Sequence, residues 1–203
     1  MKQHTAFDIP ILFLIFNRPE TTEKIFAAIR RMQPQKLFIA ADGPRSGRDD
    51  DFRNCAAARL LTQKIDWPCE VQYRFLEKNY GCRRAVSGAV DWFFSHVEQG
   101  IILEDDCLPA PDFFYFCAAA LKKYSDDKRV MHINGTVHQP PENLSYDAWF
   151  SRYALIWGWA TWKRAWQKYN STLFDYPFEK LQDVFPDREK QTRWHELLIK
   201  VKI

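Results

Sequence analysis

Between residues 10 and 16 the chain reads P-I-L-F-L-I-F, an unbroken apolar run of strand length. A strand with one face in water alternates polar and apolar residues, so a run without alternation has to be covered on both faces. N-R-P-E-T-T-E follows, with Pro19 and acidic residues suited to a helix start, and Ile25, Phe26, Ile29 and Met32 then recur at helical spacing. The order repeats along the chain. K-L-F-I-A-A-D-G at 36–43 predicts a second strand, Phe52, Ala56 and Leu60 mark one face of a second helix, and E-V-Q-Y-R-F-L at 70–76 alternates like a half-exposed third strand. Val86, Val90, Phe93 and Val97 form the next helical stripe, G-I-I-L-E-D-D is a fourth strand, D-F-F-Y-F-C-A-A-A-L-K-K-Y a further helix, and R-V-M-H-I-N-G at 129–135 a fifth strand. Strands alternating with helices predict an α/β fold with a mostly parallel sheet and helices on both faces.

In such sheets ligands bind beyond the carboxyl ends of the strands. Polar residues stand at three of these exits: Asn17-Arg18, Asp42-Gly43 and Glu104-Asp105-Asp106. The triplet has no basic residue within six positions on either side, so its carboxylates raise one another's pKa unless a cation sits among them. A hard cation such as Mn²⁺ or Mg²⁺ takes one or two carboxylates and completes its shell with phosphate oxygens and water. Aspartates also serve as turn and cap residues at a solvated strand end. Spacing alone leaves both readings open.

The rest of the composition narrows the class. A chain of 203 residues with 46% hydrophobic and 16% aromatic residues can bury one sizeable core, which predicts one domain over 1–203. Its 29 basic and 26 acidic residues leave a net charge of only +3, so bulk electrostatics point away from nucleic acid and any anion site has to be local. The five cysteines are scattered and show no C-x-x-C pair, as expected of reduced thiols in a cytoplasmic protein. The run at 11–16 is too short to span a bilayer, so no transmembrane segment is expected, and a membrane role would be peripheral to its inner face.

I-I-L-E-D-D-C-L-P-A-P-D-F-F-Y-F, with P-I-L-F-L-I-F-N-R-P upstream and W-G-W-A-T-W downstream, resembles the GT-A class of nucleotide-sugar glycosyltransferases. The likeness is to the N-acetylglucosaminyltransferase I type, whose metal motif is also E-D-D followed by a P-D-F-F helix, and it runs in order over residues 8–170. It implies a GT-A, Rossmann-like sheet, with 1–139 as the nucleotide-sugar and metal half and 140–203 as an incomplete acceptor half. It further implies Asp106 as the direct Mn²⁺ (or Mg²⁺) ligand, Glu104 and Asp105 on the donor's ribose and sugar, and Arg18 and Asp42 on the nucleotide. Arg83 falls where the family places a basic or imidazole group near the donor. Gly158 and Trp159 match the family's G-W on the acceptor side. The donor implied is a nucleotide-diphosphate sugar, a UDP-sugar first among them, and the acceptor a carbohydrate or glycoconjugate hydroxyl.

Other features weigh less. Trp159, Trp162 and Trp166 have the spacing of a buried helix face, which favours core packing for Trp162 and Trp166. His132, His138 and His195 are isolated and read as core or surface histidines, and D-R-E-K-Q-T-R at 187–193 as a solvated helix face. No G-x-x-x-x-G-K or G-x-G-x-x-G occurs, which disfavours an ATPase or a dinucleotide oxidoreductase. An inverting transferase needs a general base, which the resemblance places in a W-D-x-x-W-like segment after the tryptophans. Asp175, Asp183 and Asp187 lack the flanking tryptophans, so the base is expected beyond Ile203, and the chain reads as cut in mid-pattern. Two competing readings follow: a nucleotide-sugar-binding module without turnover, and a metal-dependent nucleotidyltransferase. The second lacks a glycine-rich, basic loop after the first strand.

Overall fold

The computed structural model describes residues 7–136, 148–170, 178–181 and 187–200, with Phe178 and 195–200 as backbone alone. His138, Asp175 and Asp183, and the side chain of His195, lie outside these. The chain forms two compact units, one of residues 1–147 with 154–167 and one of 148–153 with 168–203. The second unit contains the helix Arg188–Lys200. The first unit contains the whole sheet.

Its elements are β1 (Ile11–Ile15), α1 (Pro19–Met32), β2 (Lys36–Ala41), α2 (Asp49–Thr62), β3 (Glu70–Phe75), α3 (Cys82–His96), β4 (Gln99–Glu104), α4 (Pro111–Lys123), β5 (Ile133–Asn134), β6 (Trp159–Trp162) and the single turn α5 (Lys163–Trp166). The six strands lie in the order β3-β2-β1-β4-β6-β5. The first four run parallel, β6 is antiparallel to β4, and β5 antiparallel to β6. The sheet is therefore mostly parallel, as the apolar runs require.

All five residues of β1 are buried because it lies between β2 and β4 with helices above and below. Side chains alternate between faces. Ile11, Phe13 and Ile15 join one core with Ile25 and Ile29 of α1, Ala58 of α2 and Phe114 of α4. Leu12 and Leu14 join the other with Val90, Phe93 and Phe94 of α3. Each of these large side chains contributes about 1.5–3 kcal/mol on leaving water, which fixes the strand register and hence the edge where the strands end.

Three expectations need correction. The predicted α2 face of Phe52, Ala56 and Leu60 is the exposed one, with Phe52 56% and Leu60 61% accessible, while Asp51, Cys55, Ala58 and Thr62 turn inward. The inward side is tied down by charge: Asp51 accepts hydrogen bonds from the Arg45 side chain and from Asn17 Nδ2. The fifth strand shrinks to Ile133–Asn134 at the sheet edge. The tryptophan segment, whose spacing is that of a buried helix face, supplies strand β6 inside the first unit, followed by the one-turn α5. Trp162 is buried as expected, whereas Trp166 is half-buried and donates Nε1–H to Asp91.

His132 stacks on Trp159 with ring centroids 4.9 Å apart, and its Nε2 is 2.8 Å from the Leu155 carbonyl. Burial pushes its pKa below the usual imidazole range. The unfolded chain therefore binds the proton more readily, and this site's contribution to stability is lost as pH falls through the unfolded value of about 6.5. His132→Gln is expected to shrink the loss of stability between pH 7.5 and 5 in paired urea titrations. An unchanged pH dependence would contradict the assignment.

Candidate functional site

Parallel pairing puts the carboxyl ends of β3, β2, β1 and β4 on one edge of the sheet. Arg18 follows β1, Asp42 follows β2, and Glu104 ends β4 with Asp105 and Asp106 next. Arg18 Nη1 donates to Asp105 Oδ1 at 3.0 Å and to Asp106 Oδ2 at 2.6 Å, so residues 87 and 88 positions apart meet at a single guanidinium. Asp105 Oδ2 also accepts the Phe16 N–H at 2.9 Å, which locks the turn after β4 to the exit of β1. Asp105 is buried, whereas the side chain of Asp106 is 50% exposed.

Burial pushes the carboxyls of both Glu104 and Asp105 above the usual range. For Glu104 the neighbouring aspartates add to this, while for Asp105 the Phe16 N–H and Arg18 oppose it. Cys107 is pushed up to about 12, by burial first and then by Asp106, so it stays a neutral thiol.

Among the described residues no three His, Cys, Asp or Glu side chains converge as ligands for an ion. A hard cation carried mainly by phosphate oxygens and water needs only one or two carboxylates. The half-exposed Asp106 fits that requirement.

Asp42 does not present its carboxylate to a ligand. Oδ1 accepts the Gly43 and Tyr80 N–H groups, each at 2.9 Å, and Oδ2 accepts Asn79 Nδ2 and the Gly81 N–H, each at 3.0 Å. Two carboxylate oxygens offer about four acceptor sites, and these four donors fill them. The expectation of a direct hold on a nucleotide is corrected accordingly: Asp42 fixes the loop from β3 to α3. Gly43 is part of the same device, since a Cβ there would come within 2.4 Å of the Lys78 backbone. Arg59 completes the device, donating Nη2–H to the carbonyls of Asp42 at 3.0 Å and Leu76 at 2.7 Å.

The loop leads into α3, whose first turn holds Arg83 and contains no acidic residue. Tyr80, Gly81, Cys82, Arg83 and Arg84 line a shallow depression of about 350 Å³. Backbone N–H groups at a helix start, with basic side chains beside them, suit an anion.

Gly158 and Trp159 have structural roles. Gly158 takes φ +71°, which favours glycine, and its carbonyl accepts the Gly135 N–H at 3.0 Å. Trp159 opens β6 opposite Ile102 and is 7% exposed, so its ring meets His132 and cannot offer a face to a sugar. The acceptor-side assignment of this tryptophan is corrected for that reason.

Sequence reasoning missed Arg45 and Asp51. Asp49, Asp50 and Asp51 look like ordinary first-turn carboxylates complementing a helix dipole, and nothing in the pattern marks the third as inward. Its bonds to Arg45 hold Asp51 well below the usual carboxylate range. Asn17, 34 positions away, donates its amide to Asp51 at 2.6 Å, a contact that leaves no trace in the sequence.

No protein-family model and no curated protein matches the chain. Among solved structures it is similar to 4-diphosphocytidyl-2C-methyl-D-erythritolsynthase from Anaerococcus prevotii DSM 20548, with a TM-score of 0.48 and 11% identity over 93% of this chain and 87% of that one. No helix among the described residues is long and apolar enough to cross a membrane.

Proposed function

We propose that the chain is a divalent-metal-dependent glycosyltransferase that binds a nucleotide-diphosphate sugar, a UDP-sugar first among them, at the carboxyl edge of β1–β4. The observation that carries this reading is the junction of Arg18 with Asp105 and Asp106 at the tips of two adjacent parallel strands. Cleaving the sugar–phosphate bond leaves charge on the departing diphosphate, and fixed positive groups near it lower the barrier. Arg18, buttressed by Asp105, and the basic first turn of α3 are suited to that task. A bound Mn²⁺ or Mg²⁺ ion, held by Asp106, would supply further charge neutralisation. Glu104 keeps the donor-side role that the resemblance implies, Asp105 acts by holding Arg18 and the turn after β4, Asp42 acts through the loop it holds, and the acceptor is a carbohydrate hydroxyl.

The test is a product assay with a panel of nucleotide sugars, Mn²⁺ and simple sugar acceptors. The reading expects one donor to be consumed with release of nucleoside diphosphate. Binding with no product would favour a nucleotide-sugar-binding module. Consumption of a sugar phosphate with a nucleoside triphosphate and release of pyrophosphate would favour a nucleotidyltransferase.

A further inference from the structure

The sheet ends at β3, which pairs with β2 alone among the described residues. Glu70 N donates to the Gln35 carbonyl at 2.8 Å and Leu76 N to that of Ala41 at 2.9 Å. Along a strand these groups alternate sides, so Val71, Tyr73 and Phe75 turn their N–H and C=O groups outward. Such an edge is a template for another strand unless it is blunted. It carries no proline, no lysine and no bulge.

The sequence of this edge, E-V-Q-Y-R-F, is complementary to itself. Outward groups on odd-numbered residues restrict antiparallel self-pairing to registers centred on a residue. Centring on Gln72 sets Val71 opposite Tyr73 of a second copy, with both N–H···O bonds exchanged, and Gln72 opposite its own counterpart. Glu70 then faces Arg74 twice, in the closer, non-hydrogen-bonded pairs where opposite charges help most. Arg74 has no ion pair among the described residues, and Glu70, paired with Lys36 Nζ at 3.2 Å within its own chain, still leaves its side chain 54% exposed to a second cation. Shifting the centre by one residue in either direction loses both charge pairs.

A second observation points the same way. On α2, Arg59 and the Thr62 carbonyl contact the β3 side, through Leu76 and the Tyr73 hydroxyl. At 100° per residue Phe52 lies on the flank beyond Arg59, about 90° from the centre of the buried face, while Ala56 and Leu60 turn progressively further out. A two-fold axis through Gln72 brings two such flanks together on one side of the joined sheet. Phe52, 56% accessible on that flank, would be covered there.

We infer that β3 is a homodimer interface at which two copies pair antiparallel about Gln72, giving one continuous sheet roofed by the paired α2 helices. Gln72→Cys tests the register, because residues opposed in a non-hydrogen-bonded pair have Cα atoms about 4.5 Å apart, within disulfide reach. Under mild oxidation this variant is expected to form covalent dimer at least ~10-fold faster than the parent chain with its own cysteines. Adding Arg74→Glu sets like charges face to face and should slow crosslinking roughly tenfold. Phe52→Glu, at an exposed position the fold tolerates, should shift the uncrosslinked chain from dimer to monomer in sedimentation. A parent chain that is monomeric at about 100 µM, or Gln72→Cys crosslinking no faster than the parent, overturns the proposal.

Discussion

Asp42→Ala is expected to lower the stability of the chain by about 3 kcal/mol, seen as a lower urea midpoint. The residue is 9% exposed, and its carboxylate is the shared acceptor for the N–H groups of Gly43, Tyr80 and Gly81 and the amide of Asn79. Removing one acceptor strands several donors at once. Each buried donor left without a partner costs on the order of 1–3 kcal/mol, and water reaching the loop offsets part of the sum. Asp42→Asn retains one oxygen and should fall between the parent and the alanine variant. Amide exchange at residues 79–81 should accelerate in both variants. A loss below about 1 kcal/mol in Asp42→Ala, with exchange unchanged, would show that the loop holds itself.

The largest effect on ligand binding is expected at Asp106. If the cation is carried by this carboxylate, a nucleoside diphosphate at about 100 times its dissociation constant stabilises the parent chain by about 2.7 kcal/mol when Mn²⁺ is present. For a chain of this size that is a rise of roughly 5–10 °C in melting temperature. Asp106→Ala should abolish the rise. The variant's own fold should change little, because this side chain is half exposed and its bond to Arg18 lies at the surface, where such pairs contribute at most about 1 kcal/mol. An unchanged rise in the variant would remove Asp106 from the metal site.

The parts of the architecture set by apolar burial were legible beforehand. An unbroken run such as Ile11–Ile15 leaves a strand little choice but the centre of a sheet covered on both faces, and the order of strands and helices then supplies the parallel pairing. Parallel pairing in turn sets Arg18, Asp42 and the acidic triplet along one edge. What failed to show was anything decided by a long-range polar contact. The inward turn of Asp51 depends on Arg45 and Asn17, and the loop-holding role of Asp42 depends on Asn79, Tyr80 and Gly81, none of which leaves a periodic trace. The tryptophans misled for a different reason. Trp159, Trp162 and Trp166 match a helical face by count, yet the first two bracket a four-residue strand that gains its ladder from β4, a partner more than 50 positions away.

The central claim is that this edge of the sheet binds a diphosphate through a divalent cation. Calorimetric titration of UDP into the chain, with Mn²⁺ and again after chelation with EDTA, tests it most directly. Saturable one-site binding that disappears on chelation is the predicted result. Equal affinity with and without the metal, or no heat in either case, would contradict it.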